Sequence, residues 1–308
     1  MDISVIIVSW NVAALLKDCL TSLYAADTGG RAMEVIVVDS ASTDSTVEML
    51  RSSFPQVMLL AQDENVGFTR ANNIGLGTST GRHILLLNPD TKIIGDALSQ
   101  MSDFLDSHPD VGVVGPHTLN PDGTTQSSRR RFPDRRTAFF ETPWLQHFAP
   151  GGLLTRYEFA ELSPDMTHEV DWMQGSCLCA RREVYDQIGG LDTGYIMYFE
   201  ELDWCKRAKD SGWKLQYLGS ARIVHHGGKS TDQIGARKHI HYNESKLRYF
   251  SKVYGRGFAT VLRMFLLATY GWQLMLEWIK GLAGSKRQLR HERVTTYWQV
   301  LRSGLRVR

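Results

Sequence analysis

The chain has 308 residues, 43% of them hydrophobic and 22% charged, and a formal net charge of +2. That length buries a sizeable core and leaves one large domain with additions as plausible as two, and the composition is ordinary for a soluble globular protein. From Lys286 to Arg308 seven Lys or Arg face Glu292 alone, so this end carries +6 and the rest of the chain −4, and basic runs without a nucleic-acid-binding motif make no case for DNA or RNA.

Residues 1–8 read as a strand without a basic leader region, so no signal peptide is expected. A strand over Ile3 to Val8 is followed by a helix over Ala13 to Tyr24, a strand over Val35 to Val38, and a helix capped by Ser42-Thr43-Asp44 and ending near Arg51. A strand over Val57 to Leu60, a helix over Phe68 to Gly75, a strand over Ile84 to Leu87, a helix over Ala97 to Leu105 and a strand over Val111 to Val114 complete the alternation. Such spacing predicts an α/β fold with right-handed crossovers and a mostly parallel sheet. Gly75, Gly77 and Gly81 are expected at a helix C-cap and the turn beyond it. Residues 117–170 break the pattern with an Asn120-Pro121-Asp122-Gly123 turn and arginines 129, 130, 131, 135 and 136, as a loop-rich insertion or lid would. Expected next are a strand at Trp172 to Ala180, helices at Arg182 to Ile188 and Met197 to Lys209, strands at Lys214 to Leu218 and Arg222 to Val224, and helices over 232–254 and 258–303.

Ile84-Leu85-Leu86-Leu87-Asn88-Pro89-Asp90 is an apolar strand that stops at a proline and delivers Asp90 to its carboxyl end, the edge where open α/β sheets bind ligands. An oxygen ligand there suits a hard cation bridging a diphosphate, while an Asx-type turn explains the same residues without chemistry. Asp39 ends the second strand and could accept from a nucleobase or ribose. The first strand is followed by Ser9-Trp10-Asn11 with no glycine, which argues against a dinucleotide site and an NAD oxidoreductase. Glu200, Glu201 and Asp203 crowd one helix start, where they repel one another unless a proton or cation intervenes, although the helix dipole also favours acids there. Glu200 and Asp203 share a face; Glu201 points about 100° away. His225 follows a short strand and could ligate a metal or sit in a turn. Cys19, Cys177, Cys179 and Cys205 lack paired spacing and read as reduced thiols rather than a zinc site with His225 and His226.

Five motifs in order carry a resemblance over about residues 3–250: Ser4-Val5-Ile6-Ile7-Val8-Ser9-Trp10-Asn11, Val37-Val38-Asp39-Ser40-Ala41-Ser42-Thr43-Asp44, Asn65-Val66-Gly67-Phe68-Thr69-Arg70-Ala71-Asn72-Asn73, Asn88-Pro89-Asp90, and Gly189-Gly190-Leu191-Asp192 leading into Phe199-Glu200-Glu201-Leu202-Asp203. The set resembles the family 2 inverting nucleotide-sugar glycosyltransferases of GT-A fold, most closely the bacterial rhamnosyltransferase branch. That resemblance implies a Rossmann-like, mostly parallel sheet flanked by helices, with a helical C-terminal extension. It implies a catalytic domain over 1–254 (a nucleotide-binding half at 1–115, the insertion at 116–170 and an acceptor half at 171–254) and a basic tail over 255–308. Asp39 would hold the pyrimidine, with Ser9, Asn11, Asn65, Arg70, Asn72 and Asn88 around the donor. Asp90 and His225 would hold Mg²⁺ or Mn²⁺; Asn88 replaces the first acid of the family's Asp-x-Asp, which lowers the charge of that site. Glu201 would be the base, with Glu200 and Asp192 the other candidates. Such an enzyme moves a sugar, dTDP-rhamnose being the expected donor, to a saccharide or polyprenyl-diphosphate-linked acceptor in cell-surface polysaccharide assembly. No Gln-x-x-Arg-Trp string of processive synthases occurs, so one sugar per acceptor is expected. A UDP-sugar transferase (galactofuranosyl, galactosyl or N-acetylglucosaminyl) and an inert nucleotide-sugar-binding scaffold are the alternatives.

Between Arg263 and Glu277 lie thirteen uncharged residues, too few to span a bilayer. With Trp272, Ile279, Lys280 and the basic tail they fit an interfacial helix on anionic lipid, hence a cytoplasmic protein peripheral on the plasma membrane. The same helix could instead pack on the catalytic domain or form a homodimer contact. The five arginines between 129 and 136 could meet acceptor phosphates or form a solvated loop.

Overall fold

In the computed structural model, which describes residues 1–227, 235–282 and 286–306, strands and helices alternate from the start. They are β1 (Ile3–Ser9), α1 (Ala13–Ala25), β2 (Met33–Asp39), α2 (Thr46–Ser53), β3 (Met58–Ala61), α3 (Phe68–Thr78), β4 (His83–Leu87), β5 (Thr91–Ile93), α4 (Ala97–Ser107) and β6 (Val111–Leu119). Short pieces follow: β7 (Arg129–Arg130), α5 (Thr137–Phe140), α6 (Leu153–Tyr157), β8 (His168–Glu169) and β9 (Trp172–Met173). The rest comprises β10 (Cys177–Arg181), α7 (Arg182–Ile188), α8 (Glu200–Asp210), β11 (Lys214–His225), α9 (Ala236–Leu282) and α10 (Arg287–Ser303). Two compact units divide the chain, Met1–Thr193 with Glu200–Ser230, and Gly194–Phe199 with Thr231–Arg308.

The first unit is built on a nine-stranded sheet ordered β3-β2-β1-β4-β10-β6-β11-β5, with β8 on β11. β1 runs parallel to β2 and β4, β2 to β3, and β6 to β11; β10 lies antiparallel between β4 and β6, and β5 antiparallel to β11. Successive side chains of a strand point to opposite faces, so the apolar run of β1 feeds two cores. Ile3, Val5 and Ile7 pack with Leu16, Leu20 and Leu23 of α1 and with Leu98, Met101 and Leu105 of α4. Ile6 packs with Val184, Tyr185 and Trp204 of α7 and α8. Val8 joins Ile36, Val38 and Ala71. Helices on both faces explain why these strands are apolar throughout. Gly75 lies inside α3, not at its cap, and a side chain there would strike Ile6, so the glycine permits close packing of helix on sheet.

Several boundaries differ from the sequence reading. β6 continues through Gly115 and Pro116 to Leu119, beyond the expected end at Val114; β11 pairs with it in parallel along that stretch. The expected strand 172–180 is interrupted by a turn at 174–176, where Gln174 N–H donates to Ser128 O at 2.8 Å. α8 starts at Glu200 rather than Met197, because Tyr198 and Phe199 take left-handed backbone (φ +67° and +66°). The two strands expected at 214–224 are one, with an irregularity between Leu218 and Arg222. The insertion is not structureless: β7 pairs with β9 and β8 with β11.

In the second unit the two expected helices join into α9 across a kink at Gly255 (φ +86°), and α10 is separate; positions 232–234 and 283–285 of the expected helices lie outside the described residues. α10 turns back on α9, with Arg263 Nε donating to Gly304 O at 2.7 Å, Tyr270 and Tyr297 rings edge to face at 5.7 Å, and Glu277 paired with Arg290 and Arg293. Tyr198 and Phe199 meet Tyr242 at 5.6 and 5.4 Å, and Ser245 Oγ donates to Met197 O at 2.8 Å.

Candidate active site

The carboxyl ends of β1 and β2 are latched together. Ser9 and Asp39 are their last residues, in register with each other. Asp39, 1% exposed, accepts from Ser42 N–H at 2.9 Å through Oδ2 and from Ser42 Oγ at 2.6 Å through Oδ1. Asn11, itself in left-handed backbone (φ +53°), accepts from Thr43 N–H at 2.7 Å, and its own N–H donates to Ser42 Oγ at 2.9 Å. The buried hydroxyls of Ser9 and Ser40 have no protein partner on this edge. Asn65 accepts from Gly67 N–H at 3.0 Å and so shapes the entry to α3, on which Arg70 is exposed. Asn72 is buried and donates back to Phe68 O at 3.0 Å, which ties its amide to the helix.

β4 ends where expected, but Asp90 is delivered by more than a strand end. Asn88 O accepts from Thr91 N–H at 3.2 Å, closing a turn around Pro89 and Asp90, and β5 departs at once to pair with β11. That pairing sets Thr91 opposite His225, and His226 N–H donates to Asp90 O at 3.0 Å. Asp90 Oδ1 and His225 Nε2 therefore approach to 3.3 Å with both side chains buried, and Asn88 Nδ2 lies 3.4 Å from the same nitrogen. Among the described residues no three His, Cys, Asp or Glu side chains gather as a ready-made metal cage. An acid and an imidazole are still a fit for a cation that takes its remaining ligands from diphosphate oxygens and water, as Mg²⁺ commonly does.

The acidic helix is fixed from below. Arg207 Nε pairs with Asp203 at 3.1 Å, and its other nitrogens donate to Ile188 O at 2.6 Å and Gly190 O at 2.7 Å. Trp204 Nε1 donates to Gly189 O at 3.0 Å. Asn73 donates to Leu191 O and accepts from Leu191 N–H, both at 2.8 Å. These bonds hold the Gly189–Leu191 segment between α8 and α3; Gly189 has φ +75°, and a side chain at Gly190 would strike the Asn73 amide. Asp203 is thus a structural acid. Glu200 is 4% exposed, whereas Glu201 keeps partial exposure, and each has one carboxylate oxygen without a hydrogen-bond partner. Burial raises the pKa of both: Glu200 well above the carboxylate range, with the neighbouring Glu201 charge adding to it, and Glu201 less, because N–H groups including that of Gly175 and the charge of Arg130 oppose the shift.

Glu201 and the turn that carries Asp90 both pack on one stretch of chain. The carboxyl carbon of Glu201 lies 3.7 Å from the position of a Cβ on Gly175. The next residue, Ser176, accepts from Asn88 N–H at 2.9 Å and from Thr91 Oγ1 at 3.3 Å through its carbonyl. One turn, 174–176, therefore carries Glu201 on one side and the Asp90 turn on the other. Sequence reading missed this turn, as well as Asn73 and Arg207. Gly175 and the Asn73 next to Asn72 were the available signals.

Neither reading of the arginine run holds for Arg129. Arg129 is buried and donates to Ser163 O at 3.0 Å, Phe159 O at 3.3 Å and Leu162 O at 2.6 Å, with its guanidinium 4.6 Å from the Tyr217 ring. Arg131 pairs with Glu161 at 2.7 Å and lies 4.0 Å from the Phe159 ring. All four cysteines are free and buried, and burial pushes the thiols of Cys19, Cys179 and Cys205 up to about 12. Cys177 and Cys179 pack in the core beside Leu85 and Leu87.

A mostly parallel sheet flanked by helices, with Asp39 and Asp90 at its carboxyl edge, is the architecture of the GT-A fold. The chain belongs to glycosyl transferase family 2, whose model matches residues 4–162. An N-acetylglucosaminyl-diphospho-decaprenol L-rhamnosyltransferase of Mycobacterium tuberculosis is 29% identical over 238 residues, 74% of this chain and 76% of that protein. A low-salt glycan biosynthesis hexosyltransferase, Agl10 of Haloferax volcanii, is 26% identical over 212 residues, 68% of this chain and 62% of that one. The mannosyltransferase PcManGT of Pyrobaculum calidifontis, solved with GDP-Man and Mn²⁺, superposes with a TM-score of 0.56 at 18% identity, covering 98% of this chain and 86% of that one.

Proposed function

We propose that this glycosyltransferase moves one rhamnose from dTDP-rhamnose to a polyprenyl-diphosphate-linked saccharide, with inversion, in cell-surface polysaccharide synthesis. The shared seat of Glu201 and the Asp90 turn on Gly175–Ser176 carries this reading. The named activity of the mycobacterial relative supports the sugar and the acceptor class. Glu201 takes the proton of the acceptor hydroxyl. The freed oxygen bonds to the anomeric carbon from the face opposite the leaving group, and the bond from that carbon to the diphosphate breaks with its electron pair on the nucleotide. Asp39, with Ser9 and Asn11, binds the nucleoside; Asn65, Arg70, Asn72 and Asn88 belong to the donor side by the family motifs. Asp90 and His225 would hold Mg²⁺ or Mn²⁺, which when bound would supply positive charge to the departing diphosphate. Glu200 and Asp192 are the other candidates for the base.

Donor choice is tested by thermal shift with Mn²⁺. At a donor concentration of 100 Kd, binding stabilises the folded chain by about 2.7 kcal/mol. dTDP-rhamnose is expected to raise Tm more than UDP-galactose, UDP-galactofuranose or UDP-N-acetylglucosamine. A larger shift with a UDP-sugar would reassign the donor.

We also infer that residues 255–308 seat the enzyme on an anionic membrane at the cytoplasmic face. Among the described residues no helix is long and apolar enough to cross a membrane. α9 and α10 nevertheless expose Val261 (60%), Met264 (62%), Trp272 (54%), Trp278 (55%), Leu282 (67%) and Trp298 (60%), close to the basic run 286–308. Replacing Trp272, Trp278 and Leu282 together by Ser removes apolar groups worth about 1.5–3 kcal/mol each when buried. The variant is expected to lose co-sedimentation with phosphatidylglycerol vesicles. Unchanged sedimentation, or a dimer that dissociates in the variant, would contradict membrane seating.

A further inference from the structure

The turn Asn120-Pro121-Asp122-Gly123 reads in sequence as a plain surface loop, yet it starts a chain of hydrogen bonds that ends on His225. Asp122 Oδ1 can only accept, and Thr124 Oγ1 donates to it at 2.6 Å. That leaves the Thr124 hydroxyl as an acceptor for Asn120 Nδ2 at 3.0 Å. Asn120 Oδ1 then accepts from Gln126 Nε2 at 2.9 Å, and the same Gln126 nitrogen donates to the His225 carbonyl at 3.3 Å. With both amide orientations set, Gln126 Oε1 faces His225 Nδ1 at 2.7 Å, so this ring nitrogen must carry the hydrogen. In the neutral ring the lone pair belongs to Nε2, which faces Asp90 Oδ1 at 3.3 Å. A lone pair and a carboxylate oxygen repel at that distance; the Asn88 Nδ2 donor, 3.4 Å from Nε2, faces the lone pair in the free protein, and a cation bound by Nε2 and Asp90 would remove the repulsion.

We propose that Gln126 is a positioning residue that locks the neutral His225 imidazole in its Nδ1–H form and so reserves Nε2 for the divalent cation. This rests on the reading of Asp90 and His225 as cation ligands. Gln126 is anchored independently of any ligand: its N–H donates to Thr118 O at 2.9 Å in the extension of β6 that carries the turn. Its effect is therefore exerted on the free protein before donor arrives. Partners that orient a ligating imidazole typically change metal affinity by about 10- to 100-fold when removed.

Two measurements test it. Nitrogen-15 NMR of the metal-free full chain, with His225 neutral, reads which ring nitrogen is protonated. Electron paramagnetic resonance titration reads Mn²⁺ affinity in the presence of dTDP. Gln126→Met, similar in length but without an acceptor, is expected to move the ring hydrogen to Nε2 and weaken Mn²⁺ about 10- to 100-fold. Gln126→Glu, which keeps an acceptor oxygen, is expected to retain the Nδ1–H signature and the affinity. Retention of the Nδ1–H form in Gln126→Met overturns the proposal, as does a changed tautomer with unaltered Mn²⁺ affinity. If Asp90→Ala and His225→Ala both leave Mn²⁺ binding unaltered, the cation reading itself fails, whereas the metal-free spectra judge the role of Gln126 by themselves.

Discussion

Glu201→Gln is expected to lower turnover by about 10²- to 10⁴-fold while the affinity for donor stays within a few-fold, since a general base acts only once the acceptor hydroxyl is attacked. The substitution keeps the shape of the side chain and its contact with Gly175. It removes a carboxylate whose burial raises its pKa, next to Glu200, whose pKa burial raises further. A carboxyl group with a raised folded-state pKa contributes stability below the unfolded carboxylate range and loses it as pH rises through the folded value. At neutral pH the variant should therefore melt at or above the temperature of the parent chain, which separates loss of catalysis from loss of fold. In the parent, turnover should climb with pH along a limb lying above the usual carboxylate range, because only ionised Glu201 accepts a proton, and this limb should vanish in the variant. Near-parental turnover in Glu201→Gln would transfer the role to Glu200 or Asp192.

Asp90→Ala is expected to act on the donor side. It should lower turnover by roughly 10³-fold, corresponding to several kcal/mol of charge stabilisation on the departing diphosphate. It should also abolish stimulation by Mn²⁺ and weaken donor binding. Asp90→Asn keeps an oxygen but not the charge and should fall between the two. The contrast with Glu201→Gln is the informative part: one variant loses donor and cation, the other keeps both and loses chemistry. Calorimetric titration of dTDP-rhamnose with and without Mn²⁺ reads this difference. Donor affinity unchanged in Asp90→Ala would remove the cation from this turn.

The sheet was legible in sequence because its strands are apolar on both faces and alternate with helices of apolar periodicity. Most of β1 to β4, with α1, α4 and α7, could be located from that pattern alone. Elements set by tertiary pairing were not legible. β5 has three residues and no periodicity to read, yet it brings His225 beside Asp90 by pairing with β11. The expected strand stops at Val114, although a parallel partner carries β6 on through Gly115 and Pro116. The start of α8 was misread because left-handed backbone at Tyr198 and Phe199 leaves no mark in residue type. The acids themselves were legible because acids clustered at one helix start need a reason. Their division of labour was not, since the ion pair of Asp203 with Arg207 and the burial of Glu200 depend on residues far along the chain. Gln126 carried no local signal at all; its role emerges only from the direction of hydrogen bonds running out of the turn at 120–123.

The proposed roles require Asp90 and Glu201 to flank one reacting centre. The most direct measurement is the anomalous diffraction map of crystals grown with Mn²⁺ and a non-transferable dTDP-sugar. It should place the manganese against Asp90 and His225, with the anomeric carbon of the sugar turned toward Glu201. Manganese bound away from Asp90, or a sugar whose open face points away from Glu201, would contradict it.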